Sequence, residues 1–360
     1  MESYAVIMAG ASRNGLWPLG REACPKPFMV DLGGSRTFLQ ATYDRLCQVF
    51  PRERILVVTL ERYRDLALEQ IPGLPEENLL LEPYGRGTAP CIAFAAYTLL
   101  CRCPDAGMLI TPADRTVADE NLFAETARRA LDYVLGHDAL VSLGVVPTRP
   151  DTHFGYIQVK DPVEGNEDRP LKVKTFTEKP DEALARVFIE SREFFWNSGM
   201  LLCRAAVIRR ELERFAPEVT RLFAGWKEAL DSPGRRDFLQ SAYAAVPNIS
   251  VDYAVMEKTD CAWLLPARFG WSDLNSWDLV AENLPRDKSG NTVRAGKTLL
   301  QDSRDTLVVS SVPGKLVCVK GLRGYVVVDT GDALMICPKD DAAVGSLTSD
   351  LAMPGFEKYR

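Results

Sequence analysis

Short apolar segments alternate with amphipathic segments through the first part of the chain, and this alternation constrains the fold more than any other feature. The apolar segments are rich in Val, Ile and Leu, as buried strands are: 4–8, 55–59, 79–81, 108–111 and 139–145. The segments between them have helical spacing: 38–49, 88–102 and 119–135. Strands that alternate with helices predict an α/β fold with a mixed, mostly parallel sheet flanked by helices.

The character of the sequence changes after about residue 285. Helical periodicity disappears, and short apolar runs recur between Gly, Asp and Pro turns: 298–300, 306–309, 316–319, 325–328 and 333–336. We therefore predict a large domain over 1–285 and a small all-β domain over 286–360. Within the large domain, Pro217 is expected to break the helical stretch 206–222.

Charge and composition exclude several classes of function. The net charge is −6 and no basic block is present, which argues against nucleic-acid binding but not against small phosphorylated ligands. No uncharged run approaches the roughly 20 apolar residues that span a bilayer, and the N-terminus lacks the pattern of a secretory signal. Nine cysteines without metal-type spacing are expected to be reduced thiols. These features predict a soluble cytoplasmic protein.

Histidine chemistry is disfavoured, because the chain contains only two histidines, His137 and His153. The sequence therefore argues against mechanisms that require a histidine triad or a histidine-rich metal site.

Ligands of such sheets bind at the carboxyl ends of the strands, and two of those ends carry unusual residues. The small residues after the first strand, which allow backbone N–H groups to approach a phosphate, are Ala9, Gly10, Ala11 and Ser12. Lys26 follows in Pro-Lys-Pro-Phe and could add a positive charge. A tight strand-to-helix loop with a surface lysine explains these residues equally well.

Segment 8–19 resembles the signature of the sugar nucleotidyltransferases, and specifically of the mannose-1-phosphate guanylyltransferases. Their pattern is roughly M-A-G-G-S-G-T-R-L-W-P-L-S-R, followed by P-K-Q-F. Further segments resemble family motifs in the same order along the chain: EP at 82–83 with GRGTAP at 85–90, PAD at 112–114, FGYI at 154–157, FTEKP at 176–180, WNSG at 196–199, SVDYAVMEK at 250–258 and GWSD at 270–273. The resemblance implies the Rossmann-like nucleotide-diphospho-sugar transferase fold with a small left-handed β-helix at the C-terminus.

The resemblance implies a Mg²⁺ site at Asp114 and Asp273, with Lys26 as a further catalytic residue. Arg13 is a fourth catalytic candidate, because its guanidinium could supply a charge to the phosphates. Two carboxylates together with substrate phosphates suit a hard octahedral cation. Each aspartate also has a structural interpretation: Asp114 as a cap after a strand, and Asp273 as a charge at a helix N-terminus.

The remaining site residues are also implied by the resemblance. The nucleotide would contact Ala9, Gly10, Ala11, Ser12, Glu82, Gly85, Thr88 and Ala89. The sugar phosphate would contact Gly155, Glu178, Lys179 and Asn197. The structural alternatives are a helix cap for Thr88 and a solvated ion pair for Glu178 and Lys179.

The implied activity is the transfer of GMP from GTP to mannose 1-phosphate, which gives GDP-mannose and pyrophosphate. The sugar phosphate is already an anion and attacks the α-phosphorus in line, so the protein supplies positioning and charge neutralisation rather than a general base. The exposed strand edges of the C-terminal domain also predict that a homodimer can form.

The chain departs from the family pattern mainly around the nucleotide. Ala11, Arg13, Asn14 and Gly15 replace Gly, Gly, Thr and Arg, and the last of these is the family's main cation on the triphosphate. Arg115 stands where the family has His, and Gly87 stands where it has Asn.

Three hypotheses follow from these departures. In the first, the enzyme is active and Arg13 or Arg21 supplies the missing charge. In the second, the chain is a weak or inactive homologue that binds sugar nucleotide and regulates a partner. In the third, it is an active transferase for another nucleotide or hexose 1-phosphate. Under the second hypothesis, Gly15→Arg is expected to restore turnover.

Overall fold

The computed structural model describes residues 1–10, 15–160, 168–339 and 341–360. The described residues form two compact units. The first unit contains Met1–Gly10, Thr42–Ala113 and Val117–Trp271. The second unit contains residues 15–41, Asp114–Thr116 and Ser272–Arg360.

The strands follow the chain in this order: β1 (Ser3–Ala9), β2 (Ile55–Leu60), β3 (Leu79–Glu82), β4 (Gly107–Pro112), β5 (Thr116–Val117), β6 (Leu140–Val145), β7 (Tyr156–Val159), β8 (Leu171–Thr177), β9 (Phe194–Arg204), β10 (Ala262–Ala267), β11 (Trp271–Ser272), β12 (Thr292–Arg294), β13 (Lys297–Gln301), β14 (Leu307–Ser310), β15 (Leu316–Lys320), β16 (Tyr325–Asp329) and β17 (Leu334–Pro338).

The α-helices follow in this order: α1 (Phe38–Leu46), α2 (Arg64–Gln70), α3 (Thr88–Arg102), α4 (Glu120–Gly136), α5 (Glu182–Ser191), α6 (Ala205–Phe215), α7 (Pro217–Thr220), α8 (Trp226–Leu230), α9 (Arg235–Ala245), α10 (Trp277–Asn283) and α11 (Asp341–Asp350). Lys26–Phe28 forms a 3₁₀-helix and Asp252–Met256 a π-helix.

A nine-stranded sheet forms the centre of the first unit, with the strand order β3-β2-β1-β4-β9-β6-β10-β8-β7. Only β8 and β9 run against the other strands, and β9 lies antiparallel between β4 and β6. The central strands β1 and β2 are buried on both faces, which explains their continuous apolar sequences. The prediction of a mixed, mostly parallel sheet flanked by helices is therefore confirmed.

Local sequence signals mark two of the helix boundaries in the first unit. Asp119 precedes α4 and accepts a hydrogen bond from the Leu122 amide over 2.9 Å, as an N-cap does. The face of α4 that carries Phe123, Ala127 and Val134 is buried. Pro217 ends the preceding helical stretch and becomes the first residue of α7, because its ring lacks the N–H that a helix interior needs.

Parallel coils form part of the second unit, over residues 292–338. Strands β12, β14 and β16 pair in parallel, β13 and β15 pair in parallel in the same way, and β17 closes the larger sheet antiparallel to β16. Alternate strands that pair in this way form a β-helix, and its small core contains Val308, Val319 and Val327. The predicted all-β segment is confirmed, but it is followed by α11. The helix was missed because its sequence has small residues and no strong apolar stripe.

Within the described ranges 1–10, 15–160, 168–339 and 341–360, no helix has both the length and the apolar character to cross a membrane.

Candidate active site

Two aspartates of the second unit converge on one buried lysine. Nζ of Lys26 lies 2.8 Å from Oδ1 of Asp273 and 3.3 Å from Oδ2 of Asp114. The Lys26 side chain is only 3% exposed, and its ammonium also lies 5.4 Å from the centre of the Phe38 ring. The lysine is therefore not the solvated surface residue of the alternative interpretation.

A second cation joins the same two carboxylates. Nη1 of Arg115 lies 2.6 Å from Oδ1 of Asp273 and 3.0 Å from Oδ1 of Asp114. Oδ2 of Asp273 accepts from Nδ2 of Asn275 over 3.3 Å. Each of the four carboxylate oxygens thus has a donor, and the charges of Lys26, Asp114, Arg115 and Asp273 cancel. We call these four residues the charge cluster.

Neither aspartate caps a helix. Asp114 follows β4 by two residues, whereas the cap of α4 is Asp119. Asp273 follows β11, and the cap of α10 is Ser276, whose hydroxyl accepts from the Leu279 amide. A helix N-cap role therefore does not explain either aspartate, and Asp114 lies in the turn that follows β4.

The charge cluster fixes the ionisation of Asp114. Burial alone would raise the pKa of this carboxyl, but the neighbouring Arg115 and Lys26 outweigh burial and lower the pKa to about 2. Burial tends to lower the pKa of Arg115, whereas Asp114 and Asp273 more than compensate and raise it. Asp114 and Arg115 are therefore both charged at neutral pH.

The donor set fits a divalent metal ion. In the part of the chain that the structure describes, no three His, Cys, Asp or Glu side chains are grouped as a metal site. Mg²⁺, however, is commonly held by one or two carboxylates together with substrate phosphates and water. Asp114 and Asp273 meet this requirement, because both carboxylates reach the same ammonium and the same guanidinium nitrogen.

A different cluster, in the first unit, contains three of the residues assigned to the sugar phosphate. A Cβ at Gly155 would lie 2.9 Å from Oε2 of Glu178 and 3.7 Å from Cβ of Asn197. The Gly155 carbonyl accepts a hydrogen bond from the backbone N–H of Asn197 over 2.8 Å. The missing side chain of Gly155 thus leaves room for the Glu178 carboxylate beside Asn197.

Asp252, to which the sequence assigned no role, orients Asn197. Nδ2 of Asn197 donates to Oδ1 of Asp252 over 2.9 Å, and Oδ1 of Asn197 accepts from the Gly199 amide over 3.0 Å. These two bonds fix which end of the amide is the donor. We call Gly155, Glu178, Asn197 and Asp252 the amide cluster.

The carboxyl of Asp252 behaves opposite to that of Asp114. Surrounding protein atoms crowd it, although part of the residue reaches solvent, and this burial raises its pKa. The hydrogen bond from Asn197 lowers the pKa again, while the nearby Glu178 raises it further. The net effect favours the neutral form of Asp252.

Glu178 and Lys179 form an exposed ion pair, in which Nζ of Lys179 lies 3.4 Å from Oε1 of Glu178. The Glu178 side chain is 61% exposed and the Lys179 side chain is 48% exposed. An ion pair of this exposure contributes little to stability. Lys179 has a φ of 44°, a left-handed conformation that is uncommon for a residue with a Cβ. Both side chains are therefore accessible to a ligand.

The residues assigned to the nucleotide are only partly described. Ala9 is buried at the end of β1, and its carbonyl accepts from the Thr59 hydroxyl over 2.7 Å. Gly10 follows, and a Cβ placed on it would meet no atom within 4 Å. Ala11, Ser12 and Arg13 lie outside the described residues, as does Asn14.

Glu82 points into the interior of the first unit. It is 4% exposed, and Oε1 accepts from the Tyr243 hydroxyl over 3.0 Å. Burial raises its pKa to about 8, although the bond from Tyr243 lowers it. Its side chain thus supports the loop that follows β3, and a ligand would have to reach the backbone of this residue.

That loop leads into α3. Gly85 is exposed and lines a cavity of about 490 Å³ together with Tyr84 and Arg236. Thr88 is the first residue of α3, and its hydroxyl accepts from the Val251 amide over 2.9 Å, so it does not cap its own helix. Ala89 is fully buried and donates its amide to the Ile249 carbonyl.

Two residues bear on the missing cation of the loop. A Cβ at Gly15 would lie 2.0 Å from the Asn275 carbonyl oxygen. Gly15→Arg therefore requires the backbone to move and is not a simple restoration of charge. The Arg21 guanidinium binds Asp332 through two nitrogens (2.7 and 2.8 Å), while Nε donates to the Pro18 carbonyl, so these bonds would have to break before Arg21 could reach a phosphate.

Sequence comparisons place these residues in a known context. The nucleotidyl transferase family matches residues 4–287, and the MannoseP isomerase/GMP-like beta-helix domain matches residues 296–344. The mannose-1-phosphate guanylyltransferase ManC of Salmonella typhimurium is 37% identical, over 93% of this chain and 70% of the relative. The alginate biosynthesis protein AlgA of Pseudomonas aeruginosa is also 37% identical, over 93% of this chain and 69% of the relative.

A solved structure has the same fold over nearly the whole chain. It is described as a mannose-1-phosphate geranyltransferase from Thermus thermophilus and is 30% identical, with a TM-score of 0.87. The match covers 98% of this chain and 100% of that one.

Proposed function

Because this chain belongs to the nucleotidyl transferase family, we propose that it transfers GMP from GTP to mannose 1-phosphate, which yields GDP-mannose and pyrophosphate. The names of its relatives support the choice of sugar and base. The observation that carries the proposal is the convergence of Asp114 and Asp273 on Lys26. Two carboxylates and a buried ammonium that lie together are suited to bind and neutralise the phosphates of a nucleotide.

In the proposed reaction an oxygen of the sugar phosphate forms a bond to the α-phosphorus of GTP. The bond between the α-phosphorus and the bridging oxygen breaks, and pyrophosphate leaves with the electron pair. No proton has to be removed from the nucleophile, because a phosphate monoester is already an anion at neutral pH. Catalysis then depends on alignment and on compensation of negative charge.

Enzymes of this family generally use a divalent metal ion, and we propose Mg²⁺ held by Asp114 and Asp273. When bound, the ion would compensate charge on the phosphates. The Lys26 ammonium lies beside the same carboxylates, 2.8 Å from Asp273 and 3.3 Å from Asp114. The Asp114 carboxylate stays ionised, since its pKa is about 2.

The amide cluster is proposed to bind the sugar. Asn197 presents its amide in a fixed orientation, and Glu178 presents an exposed carboxylate beside Gly155. Together they offer a donor and acceptors to vicinal hydroxyls, and Lys179 offers a charge to the sugar phosphate. This arrangement suits a hexose 1-phosphate, because an oriented amide beside an accessible carboxylate can distinguish hydroxyl configurations.

Two further proposals concern the cell and the assembly. The cytoplasmic location remains a prediction from the sequence. A homodimer through the β-helix is supported by outward-facing apolar side chains, such as Leu316 (58% exposed) and Leu334 (62% exposed). Light scattering of the purified chain tests it, and a monomeric mass at all concentrations contradicts it.

The decisive experiment is pyrophosphate release by the purified protein with Mg²⁺, GTP and mannose 1-phosphate, run beside ATP, UTP and glucose 1-phosphate. We expect release only with GTP and mannose 1-phosphate. Asp114→Asn should reduce it by about 10²-fold or more, the size of effect seen when one transition-state electrostatic group is lost. The matched control is Asp305→Asn, which removes an exposed partner of Lys339.

The other outcomes have distinct meanings. Release with another substrate pair keeps the mechanism and changes the specificity. No release with any pair, from protein shown to be folded, contradicts the proposal and favours a homologue that binds sugar nucleotide and regulates a partner. Unchanged release by Asp114→Asn contradicts the role of the charge cluster.

A further inference from the structure

Arg115 lies between the carboxylates of Asp114 and Asp273, the two residues proposed to hold the metal ion. A single nitrogen, Nη1, contacts one oxygen of Asp114 and one of Asp273 at 3.0 and 2.6 Å. Both aspartate side chains are 11% exposed and the arginine side chain is 18% exposed, so solvent screens these contacts weakly. The guanidinium therefore satisfies the carboxylates in the way that a ligated cation does.

The oxygens that a metal would need already have donors. Asp114 accepts from Arg115 and Lys26 at its two oxygens, and Asp273 accepts from both cations at Oδ1 and from Asn275 at Oδ2. Mg²⁺ and Mn²⁺ both bind through carboxylate oxygens. An incoming ion must therefore displace at least one of these donors.

Charge leads to the same conclusion. With two carboxylates, one ammonium and one guanidinium, the charge cluster is neutral as a whole. A divalent ion that enters it alone adds two uncompensated positive charges at a poorly solvated site, which is unfavourable. The cost falls if the ion arrives with a nucleotide triphosphate, because the phosphates bring the negative charge and also offer the displaced guanidinium a bidentate partner.

We propose that Arg115 is a resident counter-ion that blocks metal binding in the nucleotide-free protein and is displaced when metal and nucleotide bind together. The inference rests on the proposed function for the metal site at Asp114 and Asp273 and for the identity of the nucleotide. Arg115 is a positioning residue in the resting state, since it holds Asp114 and Asp273 together without metal. Without Arg115, Oδ1 of Asp114 would lose its donor, because Lys26 contacts the other oxygen of that carboxylate.

The test measures binding of Mn²⁺ alone to the nucleotide-free protein, by the loss of the electron paramagnetic resonance signal of free Mn²⁺. We expect weak binding by the wild type and binding at least about tenfold tighter, or about 1.4 kcal/mol, by Arg115→Gln. Arg115→His is the second variant, which keeps the test possible if the glutamine variant does not fold. The added affinity should disappear when Asp114→Asn is combined with either variant.

The matched control is Lys315→Gln, which removes a cation paired with Asp329 at 2.8 Å elsewhere in the second unit and should leave Mn²⁺ binding unchanged. Stoichiometric Mn²⁺ binding by the wild type without nucleotide overturns the proposal, and this result needs no variant. Equal affinities for the wild type and both folded Arg115 variants also overturn it. If Arg115→Gln gains Mn²⁺ affinity while no substrate pair releases pyrophosphate, this inference stands and the proposed function fails.

Discussion

The charge cluster and the amide cluster each contain a buried carboxyl group, and the two environments shift its pKa in opposite directions. The charge cluster surrounds Asp114 with cations, which lower its pKa to about 2. The amide cluster surrounds Asp252 with protein atoms and one amide donor, and burial raises its pKa. The first arrangement keeps the Asp114 carboxylate ionised, whereas the second fixes the direction of the hydrogen bonds of Asn197. The difference suggests which part of a substrate each cluster recognises: phosphate charge or hydroxyl configuration.

Lys26→Met should give the largest effect, because it removes a cation that is 3% exposed and leaves two carboxylates with one partner fewer. We expect a loss of about 3–5 kcal/mol in the free energy of unfolding, as when one partner of a buried pair is removed. Urea unfolding measures this. Lys315→Met, whose side chain is 47% exposed, should cost about 1 kcal/mol or less. Equal losses in the two variants would mean that the charge cluster is no more buried in solution than a surface pair.

Asn197→Ala should break the amide cluster without touching the charge cluster. The side chain loses its bonds to Asp252 and to the Gly199 amide, and the sugar loses its fixed amide. We expect the KM for mannose 1-phosphate to rise about 10- to 100-fold, the worth of one or two hydrogen bonds to charged groups. The KM for GTP should stay unchanged. Asn283→Ala, which loses only a bond to the Leu279 carbonyl, is the matched control. A parallel rise in both KM values would contradict the separation of roles.

The two carboxyl groups should give pH dependences of opposite sign. The pKa of Asp114 is lower in the folded chain, so its contribution to stability is present above the unfolded pKa of about 4 and is lost as the pH falls towards about 2. The pKa of Asp252 is higher in the folded chain, so its contribution is present below about 4 and is lost as the pH rises through the folded value.

Asp114→Asn should therefore destabilise the chain most at neutral pH, by about 2 kcal/mol from this linkage, since one pKa unit is worth about 1.4 kcal/mol. Asp252→Asn should instead gain stability relative to the wild type as the pH rises above about 4. Urea unfolding of both variants from acidic to neutral pH measures the two trends. If the stability difference from the wild type changed with pH in the same direction for both variants, the pKa shift described for one of the two carboxyl groups would be contradicted.

Gly155→Ala should give the smallest effect and should be confined to the sugar. The new Cβ would lie 2.9 Å from Oε2 of Glu178, the end of a flexible and exposed side chain that can move away. We expect the KM for mannose 1-phosphate to rise by less than about tenfold and the melting temperature to stay unchanged. Gly144→Ala is the contrasting control, because its Cβ would lie 2.4 Å from Cδ1 of the buried Leu264 and should cost about 1–3 kcal/mol of stability. A drop in melting temperature for Gly155→Ala of the same size would contradict a ligand-facing position.

Local signals in the sequence predicted most of the fold. Helical spacing over 88–102 predicted α3 with its observed limits, and Pro217 marks the break between α6 and α7. The insertion of β9 between β4 and β6 could not be predicted, because strand periodicity does not specify a distant pairing partner. Helix α11 was missed because small residues give no amphipathic pattern.

The contacts between side chains in the candidate site were also not predictable from the sequence. Resemblance pointed to Asp114, Asp273 and Asn197 one residue at a time. It treated Arg115 only as a departure from a pattern, although its guanidinium joins the two aspartates. Asp252 lay inside the quoted motif 250–258 without a role, because a bond to Asn197 depends on side-chain direction and not on spacing. Pairwise contacts of this kind need coordinates.

The donors that satisfy Asp114 and Asp273 also have a consequence for metal selection in a cell. An open pair of carboxylates would take up whichever divalent ion is abundant or binds most tightly, because oxygen ligands alone discriminate poorly among first-row metals. A pair of carboxylates whose charge is already neutralised would bind those free divalent ions only weakly. If metal enters only on the phosphates of a nucleotide, the ion that nucleotides carry is the ion that the protein receives. The resting protein would then be protected from mismetallation by two of its own side chains.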